Sequence, residues 1–280
     1  MKQVSGIFFI VFALLAGLFS SANAQNTSNK GTDFWVGYGN HVRDWQIGGG
    51  ASAQKMSLYV TSDVNTNVTV EVKGIYLQTL SVTANSITIF DIPDGARLTR
   101  EGKYATGIHV TAEKPVVVYS HIFASNVSGA TLVLPTSTLG KQYYSINYTQ
   151  ISNEKNSYSY FFVVAVEDNT EVEIIPKTAT QGGWLAGSVN RVTLQKGEIY
   201  QVLGALSSNL GNFSTGGDLT GSTIRSISTT LESCKRIAVF SGSGKIAIGC
   251  GNSGSGSADN LYQQVYPTVA WGKKFITAPL

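Results

Sequence analysis

The feature that most restricts the fold of this 280-residue chain is its series of short apolar or alternating segments, separated by Gly, Pro, Asn and Asp. Such segments, about four to eight residues long with frequent turn signals, are typical of strands in antiparallel sandwiches. Helical periodicity with capping residues is not convincing anywhere, and only 13% of the residues are charged, against roughly 25% in soluble domains. The sequence therefore predicts an all-β fold and disfavours α/β enzymes.

Internal repeats indicate how these segments are grouped. Residues 31–35, 140–144 and 272–276 share a Gly, two polar residues and two large apolar residues. Residues 134–145 and 266–277 share Pro-Thr, a Gly five residues after the Pro, and then Lys and an aromatic residue. The repeats predict two tandem antiparallel β-sandwich-like units and the beginning of a third. The predicted boundaries place these units at residues 31–139, 140–271 and 272–280.

The N-terminus has the three parts of a secretory signal peptide. Lys2 is followed by an apolar run over residues 7–19, and then by Ala22-Asn23-Ala24 before Gln25. We predict a signal peptide at residues 1–24 and a short leader of the mature chain at residues 25–30. An uncleaved anchor is the alternative, but the run is shorter than the roughly 20 residues that cross a bilayer. No second such run follows, so no membrane span is expected in the mature chain.

The cysteines predict a disulfide, because the chain is expected to be exported to an oxidising compartment. Cys234 and Cys250 flank two apolar runs joined by Ser241-Gly242-Ser243-Gly244. A hairpin centred on Gly242 would place the two cysteines opposite each other. Two reduced thiols are the alternative.

Residues that could carry chemistry are few. The sequence has no nucleophile elbow, zinc-protease helix, phosphate loop or dinucleotide fingerprint, so we predict no catalytic residues, no metal site and no cofactor. His109 is interpreted as an exposed strand residue, whereas His41 lies in a loop beside Arg43 and could reach a ligand. Trp45 and Trp184 lie in glycine-rich loops; they are candidate binding residues, with packing against their own sandwich as the alternative.

Several ordered motifs resemble the N-terminal domain of the IgG Fc-binding protein family. They are Gly31-Thr32-Asp33-Phe34-Trp35-Val36-Gly37, Gly107 to Val110 with Pro115 to Tyr119, Gly129 to Pro135, Asn169 to Val172, and Asp259 to Gln264 with Trp271-Gly272. The similarity spans roughly residues 31 to 280. It implies an extracellular, non-enzymatic binding or adhesion region, and the cleavage site and the lack of cysteine-rich modules favour a bacterial member. The resemblance offers no short motif for antibody contact.

These observations together predict a secreted or cell-surface binding module whose partner is a glycoprotein or a matrix component. The formal net charge of +3 gives no reason to expect a nucleic-acid partner. The alternatives are a carbohydrate-binding module and a structural spacer, each attached to a downstream domain. A hydrolase using His41, Asp63 and Asp168 is unsupported by any motif.

Overall fold

The computed structural model describes residues 28–43, 53–248, 257–274 and 276. Among these residues there is no α-helix, and every strand pairing is antiparallel apart from one isolated bridge, so the predicted all-β fold is confirmed. The predicted signal peptide, half of the predicted leader and most of the predicted third unit lie outside the described residues. Among the described residues, no helix has the length and apolar character needed to cross a membrane.

Eight strands come from the predicted first unit: β1 (Gly31–Val36), β2 (Lys55–Thr61), β3 (Thr66–Val72), β4 (Tyr76–Val82), β5 (Ile87–Ile92), β6 (Gly102–Tyr104), β7 (Ile108–Ala124) and β8 (Val127–Val133). Eleven come from the second: β9 (Gln142–Tyr144), β10 (Gln150–Ser152), β11 (Ser159–Ala165), β12 (Thr170–Ile175), β13 (Asn190–Leu194), β14 (Ile199–Leu203), β15 (Leu206–Ser208), β16 (Ser214–Gly216), β17 (Thr223–Ser226), β18 (Ile237–Ile246) and β19 (Asp259–Gln264). Short 3₁₀ turns occupy Asp94–Ala96, Thr136–Thr138 and Thr268–Ala270.

The first unit contains two four-stranded layers that share the long strand β7. The first half of β7 lies between β3 and β1, which gives the order β4-β3-β7-β1, here called sheet I. The second half lies between β2 and β8, which gives β5-β2-β7-β8, here called sheet II. Val68, Val70 and Val72 alternate with exposed or half-buried residues, so sheet I places one apolar face inward.

The second unit repeats this order of strands. Sheet III has the order β13-β12-β17-β9, and sheet IV has the order β14-β11-β18-β19 with β6 added beyond β14. Two separate strands, β17 and β18, take the places of the two halves of β7. A small sheet, β10-β16-β15, completes this unit. The matching strand orders are those expected of two sandwich-like units, and the division into tandem units stays a prediction.

The opening of each unit is also repeated in three dimensions. Gly31 pairs with Val116, and Gly140 pairs with Ile237 at the corresponding place. A Cβ atom at Gly31 would lie 2.4 Å from Cβ of Pro135, and one at Gly140 would lie 2.4 Å from Cβ of Pro267. Because no side chain tolerates such a contact, glycine is required at both openings. The sequence repeat therefore records a specific packing contact.

The two units share a sheet and a hydrophobic core. In sheet IV, every residue of β11 and β18 is buried. Phe161 and Val163 pack in a smaller core that also contains Val172 and Ile174 of sheet III, whereas Phe162 packs in a larger core with residues of the first unit. Strand β6, from the first unit's sequence, pairs with β14. Residues on the two sides of the predicted division at residues 139 and 140 therefore share one core and one sheet.

The central strands of the two units differ in how they are covered. Residues 116–119 of β7 form an apolar run of the kind found in strands covered on both faces, yet Val117 is half-buried and Tyr119 is 45% exposed. The corresponding residues in β18 are covered on both faces. Sheet II of the first unit lacks a covering layer on its second face among the described residues. An apolar run in the sequence does not reveal whether another layer packs on the second face of its sheet.

The hairpin predicted at Ser241–Gly244 is not formed, because these four residues lie inside β18. Their small side chains serve close packing instead of a turn. A Cβ atom at Gly242 would lie 1.9 Å from the carbonyl oxygen of Leu261, and one at Gly244 would lie 2.2 Å from Oδ1 of Asn40. The geometric reason for pairing Cys234 with Cys250 is therefore lost.

Candidate binding site between the two units

The first unit places three polar or aromatic side chains together at its boundary with the second unit. Asp33 and Trp35 lie two residues apart on β1, so their side chains share one face. Trp35 pairs with His109 of β7, and the two rings are stacked, with centroids 4.1 Å apart and an interplanar angle of 8°. Nε2 of His109 lies 2.8 Å from Oδ2 of Asp33. Register alone therefore assembles an Asp-His-Trp cluster.

Hydrogen bonds set the charge state of Asp33. Burial works to raise the pKa of its carboxyl, but hydrogen bonds from His109 and Thr136 outweigh burial and hold the pKa below its usual value. The carboxylate can only accept hydrogen bonds, so Nε2 of His109 carries the donated proton. Thr136 donates its hydroxyl to the other carboxylate oxygen. Asp33 thus carries a negative charge and fixes the orientation of the imidazole ring.

The second unit completes the cluster through the turn between β13 and β14. Nζ of Lys196 lies 5.8 Å from the centre of the Trp35 ring, within range of a cation-π interaction. Gly197 has a φ of +80°, and a Cβ atom there would lie 3.2 Å from Trp35, so glycine permits this close approach. The amide of Gly107 donates a 2.9 Å hydrogen bond to the carbonyl oxygen of Gly197. The turn is thereby tied to the first unit.

An open cleft of about 670 Å³ is lined by Trp35, His109, Lys196 and Gly197. Its volume is within the range of roughly 300–1,000 Å³ found for ligand pockets. Trp35 is only 6% exposed, so the cleft floor is apolar and firmly packed. Both units contribute charged rim residues: Glu71, Lys73, Asp168, Lys196 and Glu198. A rim with both signs of charge suits a polar partner that can donate and accept hydrogen bonds.

His41 lies in the interior of the protein and not at a ligand-accessible surface. Its ring is fully buried, Nδ1 accepts a 3.0 Å hydrogen bond from the amide of Arg43, and Nε2 lies 3.3 Å from the carbonyl oxygen of Val127. Burial lowers the pKa of His41 to about 4. In this conformation the side chain orders its own loop, and its predicted binding role gains no support.

Trp184 packs against its own sandwich. Its ring is stacked on Tyr200 with centroids 5.3 Å apart and an interplanar angle of 3°, and it is half-buried against the core of the second unit. This contact corresponds to the alternative stated from the sequence, and a binding role stays a prediction. Trp45 lies outside the described residues.

The predicted disulfide between Cys234 and Cys250 also stays a prediction. Cys234 is half-buried before β18 and has no disulfide partner among the described residues, whereas Cys250 lies outside them. The described residues contain no group of three or more His, Cys, Asp or Glu side chains placed to hold a metal ion.

Sequence reasoning missed the Asp33, Trp35, His109 and Lys196 cluster. A signal was present: Asp33 and Trp35 alternate on one strand, and His109 stands in a second motif of the same family resemblance. Treating each motif separately hid the pairing of β1 with β7. Lys196 carries no local signal, because only the packing of one repeat on the other brings it to Trp35.

Comparison with known proteins identifies the family of the chain. No curated protein matches the chain significantly. Among solved structures, vicilin from Corylus avellana (hazelnut) is 10% identical, with 61% of this chain and 68% of that chain covered; its TM-score of 0.17 carries no argument about the fold. The model of the family described as IgGFc binding protein matches residues 129–280, more than half of the chain. The chain belongs to this IgGFc binding protein family.

Proposed function

We propose that this chain is a non-enzymatic binding module that is secreted or displayed at the cell surface, and that a glycoprotein or matrix partner binds the cleft between its two units. Membership in a binding-protein family supports a binding module. The observation that carries the choice of site is the cleft itself, whose floor comes from the first unit and whose turn, residues 195–198, comes from the second.

The contacts at the cleft suit recognition of an irregular polar surface. The packed Trp35 and His109 rings give a rigid floor, which lowers the conformational entropy lost on binding. Exposed charges such as Lys196 and Glu71 stand at the rim, where they add specificity and faster association. The alternative, a structural spacer, predicts no saturable binding at this cleft.

The proposal is tested by immobilising mucin and, separately, immunoglobulin, and by measuring equilibrium binding of the exported chain at micromolar concentrations. We expect saturable binding to at least one of them. Lys196→Glu should weaken that binding at least tenfold, because the charge near Trp35 and at the rim is reversed. Lys177→Glu is the matched control, since Lys177 is exposed on the second unit outside the cleft and changes the net charge equally.

Equal losses in both lysine variants would reduce the effect to net charge and would contradict the assigned site. Absence of saturable binding to either protein would favour the spacer. Export is tested separately by N-terminal sequencing of secreted protein, which should begin at Gln25.

A further inference from the structure

A row of side chains in sheet IV has an equivalent row in sheet II of the first unit. The opening glycines of the two units pair with Val116 of β7 and with Ile237 of β18, so these two residues correspond. Three residues further along, Tyr119 therefore corresponds to Phe240. Residues paired across strands lie on one face of a sheet, so each of these positions extends into a row. The sheet IV row is Gln201, Phe162, Phe240 and Gln264, and the sheet II row is Ile89, Tyr59, Tyr119 and Leu132.

The sheet IV row is the second unit's half of a contact between the two units. All four of its side chains are fully buried. The ring of Phe162 lies 3.0 Å from the position that a Cβ atom would take at Gly37. Oε1 of Gln264 accepts a 2.7 Å hydrogen bond from the amide of Leu134. Gly37 and Leu134 therefore belong to the first unit's half of the same contact.

The sheet II row is exposed, in contrast to its equivalent. Ile89 and Tyr119 are 50% and 45% accessible, and Tyr59 and Leu132 are half-buried. The hydroxyl of Tyr59 lies 3.4 Å from Nδ1 of His121 on the same face, which holds the tyrosine ring in place. The first unit thus presents on rigid strands the face that the second unit buries.

The second unit carries an exposed equivalent of the other half of the contact. Ile146 corresponds to Gly37, because each lies six residues after an opening glycine. Tyr266 corresponds to Leu134, because each precedes the proline of the repeat. Gly37 and Leu134 are buried, whereas Ile146 is 56% and Tyr266 is 49% accessible. Together with Trp271 these two residues line an open groove of about 660 Å³, here called the Tyr266 groove.

We propose that copies of this protein associate end to end, with the sheet II row of one copy docked in the Tyr266 groove of the next copy. This contact repeats between chains the contact that joins the two units within one chain. Neither the row nor the lining of the groove includes an acidic or basic residue. Docking therefore buries no unpaired charge, and it removes apolar area from water.

A second copy is the occupant that fits both surfaces. The predicted third unit of the same chain would fill the Tyr266 groove, as the second unit covers the first, but it would leave the sheet II row free. Each copy carries one half of each kind, so the interface is heterologous and association continues from copy to copy.

The test is sedimentation velocity of the exported chain without any added partner, from roughly 1 μM to 1 mM, the range of weak protein association. We expect the mean mass to rise with concentration beyond that of a dimer. Tyr119→Lys places a charge in the row, and Ile146→Lys places one in the groove. Both positions are exposed, and thermal melting checks that each variant stays folded. Each variant alone should associate at least tenfold more weakly than wild type.

Leu185→Lys is the matched control, since Leu185 is 72% accessible on the second unit and lies outside both surfaces. This variant should associate as wild type does. An equimolar mixture of the Tyr119→Lys and Ile146→Lys variants should form dimers and nothing larger, because the intact groove of the first variant meets the intact row of the second.

A wild-type chain that stays monomeric throughout would overturn the proposal and leave the groove to the predicted third unit. Absence of dimers in the mixture would also overturn it. Association that survives Ile146→Lys but not Tyr119→Lys would show that two sheet II rows pair with each other, which contradicts an end-to-end contact.

Discussion

Replacement of Phe162 by Ala should destabilise both sandwich units at once. Phe162 is fully buried in the core shared by the two units. Its ring is stacked on Phe240 with centroids 4.8 Å apart, and it lies against Gly37 of the first unit, where an added Cβ would be 3.0 Å from the ring. One aromatic side chain therefore contacts the second unit's central strand and the first unit's backbone.

The expected cost follows from the buried area. A buried aromatic residue removes roughly 150–250 Å² from water, worth about 4–6 kcal/mol at ~25 cal/mol per Å². Alanine retains part of this, which leaves a loss of about 3–5 kcal/mol, a large share of the roughly 5–15 kcal/mol that stabilises a typical domain. Urea unfolding gives the total loss, and hydrogen exchange locates it.

Amides of β3 in the first unit and β12 in the second should lose protection together in Phe162→Ala. Ile89→Ala, at an exposed position of the first unit, is the control and should change stability by about 0.5 kcal/mol or less. Loss of protection in β12 alone, with β3 unchanged, would show that the units fold separately and would refute the reasoning.

Three further perturbations have defined outcomes. Val239→Asp should prevent folding because a charge would be buried without a partner, whereas Val117→Asp, at a half-buried position, should lower the free energy of unfolding by about 1–2 kcal/mol. Soluble yield and thermal melting distinguish the two variants. Equal effects of the two substitutions would contradict the uncovered face of sheet II. Glu173 is buried between Arg225 and Arg191. Hydrogen bonds from both arginines lower its pKa, and the bond from Arg225 has the larger effect. Glu173→Gln should therefore cost about 2 kcal/mol at pH 7, and the difference from wild type should shrink as the pH falls below about 4.5 through the folded-state pKa; a difference independent of pH would argue against the ion pairs. Burial lowers the pKa of His41 from 6.5 to about 4, so this residue is protonated at a higher pH in the unfolded chain than in the folded chain. The free energy of unfolding of the wild type should therefore fall by about 2 kcal/mol between pH 7.5 and pH 5 because of His41. His41→Asn should lack that part of the decline in urea titrations, and an unchanged decline would place the titration elsewhere.

Much of the fold could be predicted from local pattern, because strand alternation and turn residues are local properties. The repeat at residues 134–145 and 266–277 could be recognised for a physical reason. Pro135 packs on Gly31 and Pro267 packs on Gly140, so these contacts restrict which residues can occupy the positions involved. The Ser-Gly run at residues 241–244 misled because small residues serve turns and close-packed strands alike. Gly242 is small because the carbonyl oxygen of Leu261 is near, and Leu261 is distant in sequence.

The candidate site could be predicted only in part. Asp33 and Trp35 were visible in a motif, but their partner His109 is set by strand register across more than seventy residues. Lys196 and Gly197 depend on how one repeat packs on the other, which no local pattern encodes. His41 is buried, and Trp184 is stacked on Tyr200, so the binding roles predicted from their loops gain no support from the structure and stay predictions.

The most direct test of the proposed function compares hydrogen exchange of the free chain with that of the chain bound in solution to mucin or to immunoglobulin. We predict added protection in residues 71–73, 105–109 and 195–198, from both units together. Protection of one unit alone, or no protection at these residues while the partner is bound, would contradict a binding site shared between the two repeats.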